Sequence, residues 1–202
     1  MKIELKNKYF LLRHGQNIHQ TEKKDILYKW PDDDVPCVLI EEGIAEAKAA
    51  GEILKTKNIE MIFCSDILRT KQTAGIVADI IGFDKDKIIY DERLRDVNWG
   101  VFGGKTKPEA WAFFEGEAIR KFEQSVPGGE SWNNCQARVV AVLSDLERLY
   151  ENKIILIVSH GDAMWLLEDY VKGLSKEETL EDRKNIYLKP GEIRELGNVK
   201  EL

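Results

Sequence analysis

A chain of 202 residues, 43% of them hydrophobic, can bury one substantial core and has the usual size of a single domain. Its net charge of -6 excludes an overall basic field that would draw it to nucleic acid or to an anionic membrane surface. We therefore expect one domain over residues 1–202, in which an anionic ligand must meet a local cluster of basic residues.

The remaining composition predicts a cytoplasmic protein. The three cysteines are widely separated and form no Cys-x-x-Cys pair of the kind that binds metals, so reduced thiols fit best. The apolar run Tyr9–Leu12 is too short for a secretory signal, and no stretch approaches the length of a membrane span. The sequence does not predict an oligomeric state.

Apolar patterns predict strands that alternate with helices along the chain. Short apolar runs predict strands over Tyr9–Leu12, Met61–Cys64 and Ile154–Val158, the last of which is apolar on both faces. Apolar residues three and four positions apart predict helices over Glu42–Leu54, Arg69–Ile80, Trp132–Tyr150 and Ala163–Val171. The alternation indicates a layered α/β domain.

Two segments do not follow this alternation. Residues 16–38 and 101–127 have no clear period, and long irregular insertions in such folds often cover a binding site. We therefore expect cap regions around both segments.

Basic and polar residues follow the carboxyl end of each predicted strand. Arg13-His14-Gly15 follows the first strand, Ser65–Arg69 follows the second, and Ser159-His160-Gly161 follows the third. Each alone fits a plain turn, but the carboxyl ends of neighbouring parallel strands share one crevice. The repetition, in a chain with only three histidines, predicts that two histidines and two arginines meet in one site.

These motifs, in this order, resemble those of the histidine phosphatase superfamily, which includes cofactor-dependent phosphoglycerate mutases and many small phosphatases. The resemblance covers most of the chain. Leu12–Gln16 resembles the Arg-His-Gly-Glu/Gln motif, and Ser65–Ala74 resembles the second arginine motif. Leu94–Asp96 resembles the acid segment, and Pro127–Ser131 resembles a turn before a helix. Ser159–Gly161 resembles the second histidine motif. It implies a three-layer α/β/α sandwich with a mainly parallel central sheet, like that of phosphoglycerate mutase.

The resemblance also implies phosphoryl transfer through a phosphohistidine on His14. A neutral imidazole can attack phosphorus from one ring nitrogen when an acceptor, here the carbonyl of Gly15, holds the other. Arg13 and Arg69 would clamp the phosphoryl oxygens with paired hydrogen bonds. His160, at the start of a helix, would add another donor, and its protonated form would be stabilised by bound phosphate.

The proton donor is the atypical part of the pattern. The family normally uses a glutamate where this chain has Asp96, which must lie in a drier or more anionic setting to be protonated near neutral pH. Glu92 is the reserve candidate, and a solvated acidic turn is the structural alternative for both.

Asn17 and Gln20 also replace the family's usual residues, but their amides can still donate to phosphate. We expect them and Gly161 to contact the phosphate.

Other residues have plainer interpretations. We expect His19 to be an exposed loop histidine, and Arg69 could simply pair with Asp66 on the first turn of its helix. Of the five tryptophans, we expect one at most in a pocket wall and the others in ordinary packing. The histidines have no local partner spaced for zinc, so we predict no metal and no cofactor.

Three functions fit this pattern. The compact stretch of about sixty residues between Asp96 and His160 favours hydrolysis of a small phosphorylated metabolite over a mutase, whose cap is generally longer. A cofactor-dependent phosphoglycerate mutase is the alternative. A non-catalytic module that binds a phosphorylated ligand is the third, and the change from glutamate to aspartate at Asp96 is its best support.

Overall fold

The computed structural model describes residues 3–22, 25–29 and 37–197, apart from the side chain of Asn185. Its centre is a sheet of five strands, β1 (Lys8–Arg13), β2 (Met61–Cys64), β3 (Ile89–Tyr90), β4 (Ile154–Ser159) and β5 (Ile193–Glu195). They lie in the order β3-β2-β4-β1-β5, and only β5 runs antiparallel to its neighbour. The predicted mainly parallel sheet is confirmed. The two unpredicted strands, β3 and β5, are too short to show a pattern.

Seven α-helices accompany the sheet in the described residues: α1 (Ile18–Glu22), α2 (Glu41–Leu54), α3 (Leu68–Ile81), α4 (Lys107–Phe113), α5 (Trp132–Leu149), α6 (Gly161–Lys172) and α7 (Lys176–Ile186). The four predicted helices are confirmed as α2, α3, α5 and α6. The sequence did not predict α7, because its mainly charged residues show no apolar stripe. A capping box marks the start of α7, in which the hydroxyl of Ser175 accepts a hydrogen bond from the backbone N–H of Glu178.

The helices cover both faces of the sheet. Alternate residues of β1 point to opposite sides, as the pleat of a strand requires. Tyr9 and Leu11 join the core with α5 and α6, whereas Phe10 and Leu12 join a second core with α2 and α3. The predicted three-layer α/β/α sandwich is therefore confirmed. No helix in the described part of the chain is long and apolar enough to cross a membrane.

The two predicted cap segments lie against each other. An isolated bridge pairs Ile26 with Thr106, and the backbone N–H of Leu27 donates to the carbonyl of Lys105 over 2.8 Å. Residues 101–127 fitted the sequence pattern poorly, yet they contain α4 and a short 3-10 helix over Ala118–Phe122. Within residues 16–38, positions 23–24 and 30–36 lie outside the described residues.

The loop after β1 packs directly on the first turn of α2, and only glycine fits the contact. A Cβ atom on Gly43 would lie 1.9 Å from the carbonyl oxygen of Gln16, and one on Gly15 would lie 2.2 Å from the carbonyl oxygen of Gly43. Both distances are far below van der Waals contact. The backbone around His14 is thus fixed by α2.

We expect Gly43→Ala to lower the free energy of unfolding by about 1–3 kcal/mol, because the new methyl group forces two backbone segments apart. Gly75→Ala is the matched control, since Gly75 lies inside α3 with no atom within 4 Å of its Cβ position. That change should stabilise the protein by about 0.5–1 kcal/mol. Denaturant unfolding measures both variants, and equal effects would contradict the prediction.

Candidate active site

Two histidines and an arginine from three separate loops meet at the carboxyl edge of the sheet. The rings of His14 and His160 lie 5.2 Å apart between centroids. Arg69 joins them, because its Nε donates to Nε2 of His14 over 3.3 Å and its Nη2 donates to Nδ1 of His160 over 3.1 Å. The predicted meeting of the two histidines with Arg69 is observed, and it follows from the parallel pairing of β4 with both β1 and β2.

The hydrogen bonds of His14 fix its tautomer. Its Nδ1 lies 2.8 Å from the carbonyl oxygen of Gly15, which accepts the Nδ1 proton, as the family resemblance implied. Nε2 must then accept from Arg69 and therefore carries the lone pair. Burial, followed by the charges of Arg69 and Arg13, holds the pKa of His14 well below its usual range. The ring is therefore neutral, and it is only 1% exposed.

His160 caps the N-terminus of α6 and is also neutral in this structure. Because its Nδ1 accepts from Arg69, its Nε2 donates to the hydroxyl of Ser65 over 2.9 Å. Burial and the charge of Arg69 lower its pKa well below the usual range. Gly161 follows it, and a Cβ there would lie 2.3 Å from the hydroxyl oxygen of Tyr187. Glycine therefore lets this tyrosine approach the first turn of α6.

Arg13 acts on the site through its charge, which lowers the pKa of both His14 and His160. Its Nη1 donates to the carbonyl of Leu188 over 2.6 Å, and its guanidinium carbon lies 5.1 Å from the centre of the Tyr187 ring. Its Nε is buried and has no hydrogen-bond partner among the described residues. A buried unpaired donor is costly, and its burial keeps this nitrogen out of contact with any ligand in this structure.

The alternative pairing of Arg69 with Asp66 is wrong. Asp66 accepts instead from Arg95, whose Nε lies 2.7 Å from Oδ1. Arg69 turns inward, and its guanidinium carbon lies 4.1 Å from the centre of the Tyr28 ring. Tyr28, from the first of the two predicted cap segments, thus covers the arginine with an aromatic face.

Asp96 lies in the drier and more anionic setting that a protonated aspartate requires. Burial, followed by the negative charge of Asp162, raises the pKa of Asp96 to about 6, while Arg69 and Arg13 oppose the rise. Glu92 is not brought to the site. Its side chain is 72% exposed and lies 3.5 Å from Arg95, so the structure gives no support to the reserve assignment.

The sequence gave no signal for the residue that holds the acid loop. Arg138 lies inside α5 and donates to the carbonyl oxygens of Arg93, Arg95 and Asp96 over 2.8, 2.5 and 2.7 Å. The carboxylate of Glu130 accepts from the same guanidinium. A helical arginine usually indicates a solvated face, so only the tertiary contacts identify its position.

The predicted amides lie in one hydrogen-bonded group. Nδ2 of Asn17 donates to Oε1 of Gln20 over 3.1 Å and lies 3.3 Å from the hydroxyl oxygen of Tyr28. Asn17 is fully buried, whereas Gln20 lines the neighbouring cavity. Of the two amides, the structure therefore places Gln20 in the cavity wall.

The prediction for His19 was wrong. The ring is only 4% exposed, because the short helix α1 turns it inward. Its Nε2 lies 2.8 Å from the carbonyl oxygen of Ile26, and it stacks on Tyr28 with 4.1 Å between ring centroids. His19 and Tyr28 both line the cavity.

A cavity of about 730 Å³ opens beside these groups, bounded by Arg13 and Asp96 and by both cap segments. Two tryptophans, Trp99 and Trp111, line it, one more than expected. Trp132 and Trp165 belong to the core, as predicted, and Trp30 lies outside the described residues. No group of three or more potential metal-binding side chains occurs in the described ranges.

Three further lining residues were missed from the sequence. Asp162 accepts a hydrogen bond from Nη2 of Arg183 over 2.9 Å and another from the hydroxyl of Tyr187 over 2.8 Å. The position of Asp162 directly after His160-Gly161 was a usable signal. Arg183 and Tyr187 gave none, because they belong to α7 and the residue that follows it.

Comparison with known proteins identifies the family. A family model described as "Histidine phosphatase superfamily (branch 1)" matches residues 9–185. A 2,3-bisphosphoglycerate-dependent phosphoglycerate mutase of Methylobacterium sp. (strain 4-46) is 32% identical over 175 residues, which are 83% of this chain and 81% of that protein.

Two solved structures share the fold. YhfR of Bacillus stearothermophilus is 26% identical with a TM-score of 0.74, and the match covers 93% of this chain and 89% of that one. A mycobacterial glucosyl-3-phosphoglycerate phosphatase is 23% identical with a TM-score of 0.68, over 85% and 82% of the two chains. The fold, the paired histidine motifs and these matches lead to one conclusion: the chain belongs to the histidine phosphatase superfamily.

Proposed function

We propose that this chain is a phosphatase that hydrolyses a phosphate monoester of a small metabolite through a phosphohistidine on His14. The state of His14 carries the proposal. Its Nδ1 proton is held by Gly15, its Nε2 lone pair lies beside Arg69, and its pKa is lowered so that the ring is neutral. A neutral, oriented imidazole is the form that attacks phosphorus.

In the first step, Nε2 of His14 forms a bond to phosphorus while the bond from phosphorus to the leaving oxygen breaks. Asp96 gives its proton to that oxygen. Arg13 and Arg69 bind the equatorial oxygens, on which negative charge is spread in the transition state.

In the second step, water attacks the phosphohistidine. Asp96, now ionised, takes a proton from that water, and His14 leaves as a neutral imidazole with release of phosphate. The dianionic phosphoryl group beside His160 raises the pKa of that ring and favours its protonated, donating form. Gln20 and the backbone N–H of Gly161 are further proposed phosphate contacts, with Asn17 holding Gln20 in place.

The named relatives favour a second candidate, a 2,3-bisphosphoglycerate-dependent phosphoglycerate mutase. It would use the same nucleophile but return the phosphoryl group to a bound glycerate. The cavity supports the phosphatase instead, because Trp99, Trp111 and Leu27 give it apolar walls that suit a larger body than glycerate. The third candidate, a binding module, does not require a neutral nucleophile beside a carboxylic acid of raised pKa.

We expect an acid-labile phosphate on His14 after incubation with an aryl phosphate and rapid quenching. His14→Ala should lose both the label and turnover, by about 10³-fold or more. His19→Asn, at a buried histidine that lines the cavity, should keep the label. Absence of both adduct and phosphate release over a broad substrate panel would indicate a binding module. Phosphoryl return to glycerate that exceeds phosphate release, with bisphosphoglycerate present, would indicate the mutase.

We expect Asp96→Asn to slow alkyl phosphates more than aryl phosphates. An alkoxide leaving group needs a proton, whereas an aryl oxide leaves readily without one. Steady-state rates on one substrate of each kind measure the difference. Glu92→Gln is the matched control and should leave both rates unchanged, since that side chain is exposed. Equal slowing of the two substrates by Asp96→Asn would remove Asp96 from the proton-donor role.

We expect Asp162→Asn to move the high-pH limb of kcat/KM on an alkyl phosphate to lower pH. Asp96 donates a proton only below its pKa, which burial and Asp162 together raise to about 6. Loss of the Asp162 charge also leaves Arg183 without its counter-ion, and both changes lower the pKa of Asp96. Asp79→Asn, at an exposed carboxylate of α3, is the control. A limb that stays in place or moves to higher pH contradicts this role for Asp162.

A further inference from the structure

Arg69 forms no ion pair with a carboxylate among the residues that the structure describes. Asp66, the nearest acid along the chain, binds Arg95 instead. The guanidinium of Arg69 donates to His14 and His160, and the side chain is only 3% exposed. A contact other than an ion pair must therefore hold this buried cation in place.

The ring of Tyr28 is the group that lies against Arg69. The guanidinium carbon is 4.1 Å from the ring centre, the shortest distance between a cation and an aromatic ring in the described part of the chain. Burial raises the pKa of Tyr28 to about 12, although the charge of Arg69 opposes the rise. The phenol is therefore neutral at physiological pH. It attracts the guanidinium through its aromatic face and leaves the positive charge uncancelled.

The cap segment over residues 101–127 holds the backbone of Tyr28 in this position. The N–H of Leu27 donates to the carbonyl of Lys105, and the N–H of Gly104 donates to the carbonyl of Leu27, over 2.8 and 2.9 Å. A Cβ atom on Gly103 would lie 3.2 Å from the carbonyl oxygen of Tyr28. These contacts involve the backbone of the first cap segment, so they remain when the side chain of Tyr28 is replaced.

We propose that Tyr28 is a positioning residue for Arg69, which fixes the guanidinium against both histidines and leaves its charge available to a phosphoryl group. A carboxylate could also hold the arginine, but it would cancel the charge and compete with the phosphoryl oxygens. A neutral ring does neither. The action of the fixed guanidinium on a phosphoryl group rests on the proposed phosphatase function, whereas its effect on the histidines does not.

The tautomer of His160 depends on the position of Arg69. The carbonyl of Gly15 can only accept a hydrogen bond, so it fixes the tautomer of His14 even without the arginine. The hydroxyl of Ser65, which contacts Nε2 of His160, can either donate or accept. Among the described residues, only Arg69 therefore selects the tautomer of His160 that carries its proton on Nε2.

The test compares Tyr28→Leu with Tyr28→Phe in the unliganded protein by nitrogen NMR of the histidine rings. The wild-type protein and Tyr28→Phe should show His160 protonated on Nε2 alone, because phenylalanine keeps the aromatic face. The hydroxyl that it lacks makes only long contacts, of 3.3 and 3.4 Å, to the amide of Asn17. Tyr28→Leu should show a mixture of both tautomers. Tyr90→Leu is the matched control, since Tyr90 is exposed and its ring contacts Lys71 at the edge of the sheet.

Two other roles for Tyr28 give different spectra. If the side chain only fills the cavity wall, His160 keeps a single tautomer in Tyr28→Leu. If the hydroxyl is the part that matters, Tyr28→Phe gives the same mixture as Tyr28→Leu. Either result would overturn the proposal.

Kinetics tests the consequence for phosphoryl transfer. In Tyr28→Leu, kcat on phenyl phosphate should fall by about tenfold to thirtyfold, and orthovanadate, which mimics the phosphoryl group and has no organic body, should bind about tenfold more weakly. Tyr28→Phe should retain both properties. A higher KM for phenyl phosphate with unchanged vanadate binding would contradict the positioning role. The tautomer change in Tyr28→Leu, together with no phosphate release by the wild-type protein, would support that role and reject the phosphatase.

Discussion

The guanidinium group of Arg69 is the contact on which the rest of the site depends. A guanidinium can only donate hydrogen bonds, so each histidine nitrogen that it contacts must accept. This rule fixes the tautomers of His14 and His160, and their outer nitrogens donate to Gly15 and Ser65. The charge of Arg69, together with burial, also keeps both rings neutral. One side chain thus determines the orientation, tautomer and charge of both histidines.

The charged groups that line the cavity differ in sign and in the direction of their pKa shifts. The protein is acidic overall, yet most charged groups that line the cavity are basic. Asp162 raises the pKa of Asp96, whereas its own pKa is lowered by Arg183 and by the hydrogen bond from Tyr187. Two carboxyl groups with pKa values shifted in opposite directions can have different roles, one as an acid and one as a fixed charge.

The cap segments explain why the incorrect predictions are concentrated there. The sequence showed no periodicity in residues 101–127, yet they contain α4, and the first cap segment pairs with them through Ile26 and Thr106. Contacts of this kind also turn His19 and Tyr28 inward. The capping box of Thr106 and Glu109 was a local signal for α4, whereas the pairing of the two segments joins residues distant in sequence and could not be predicted. The cavity walls, and the substrate class that we infer from them, depend on this pairing.

The sequence by itself determined the α/β layers and the four long helices, because the periodicity of strands and helices is a local property. It also determined the meeting of Arg13, His14, Arg69 and His160, because the shared edge of a parallel sheet is a property of the topology. Tertiary structure alone decided the setting of Asp96, the position of Arg138 beneath it, and the approach of α7 with Arg183. Their roles arise from burial and from charges distant in sequence, and neither is encoded in the residues that flank them.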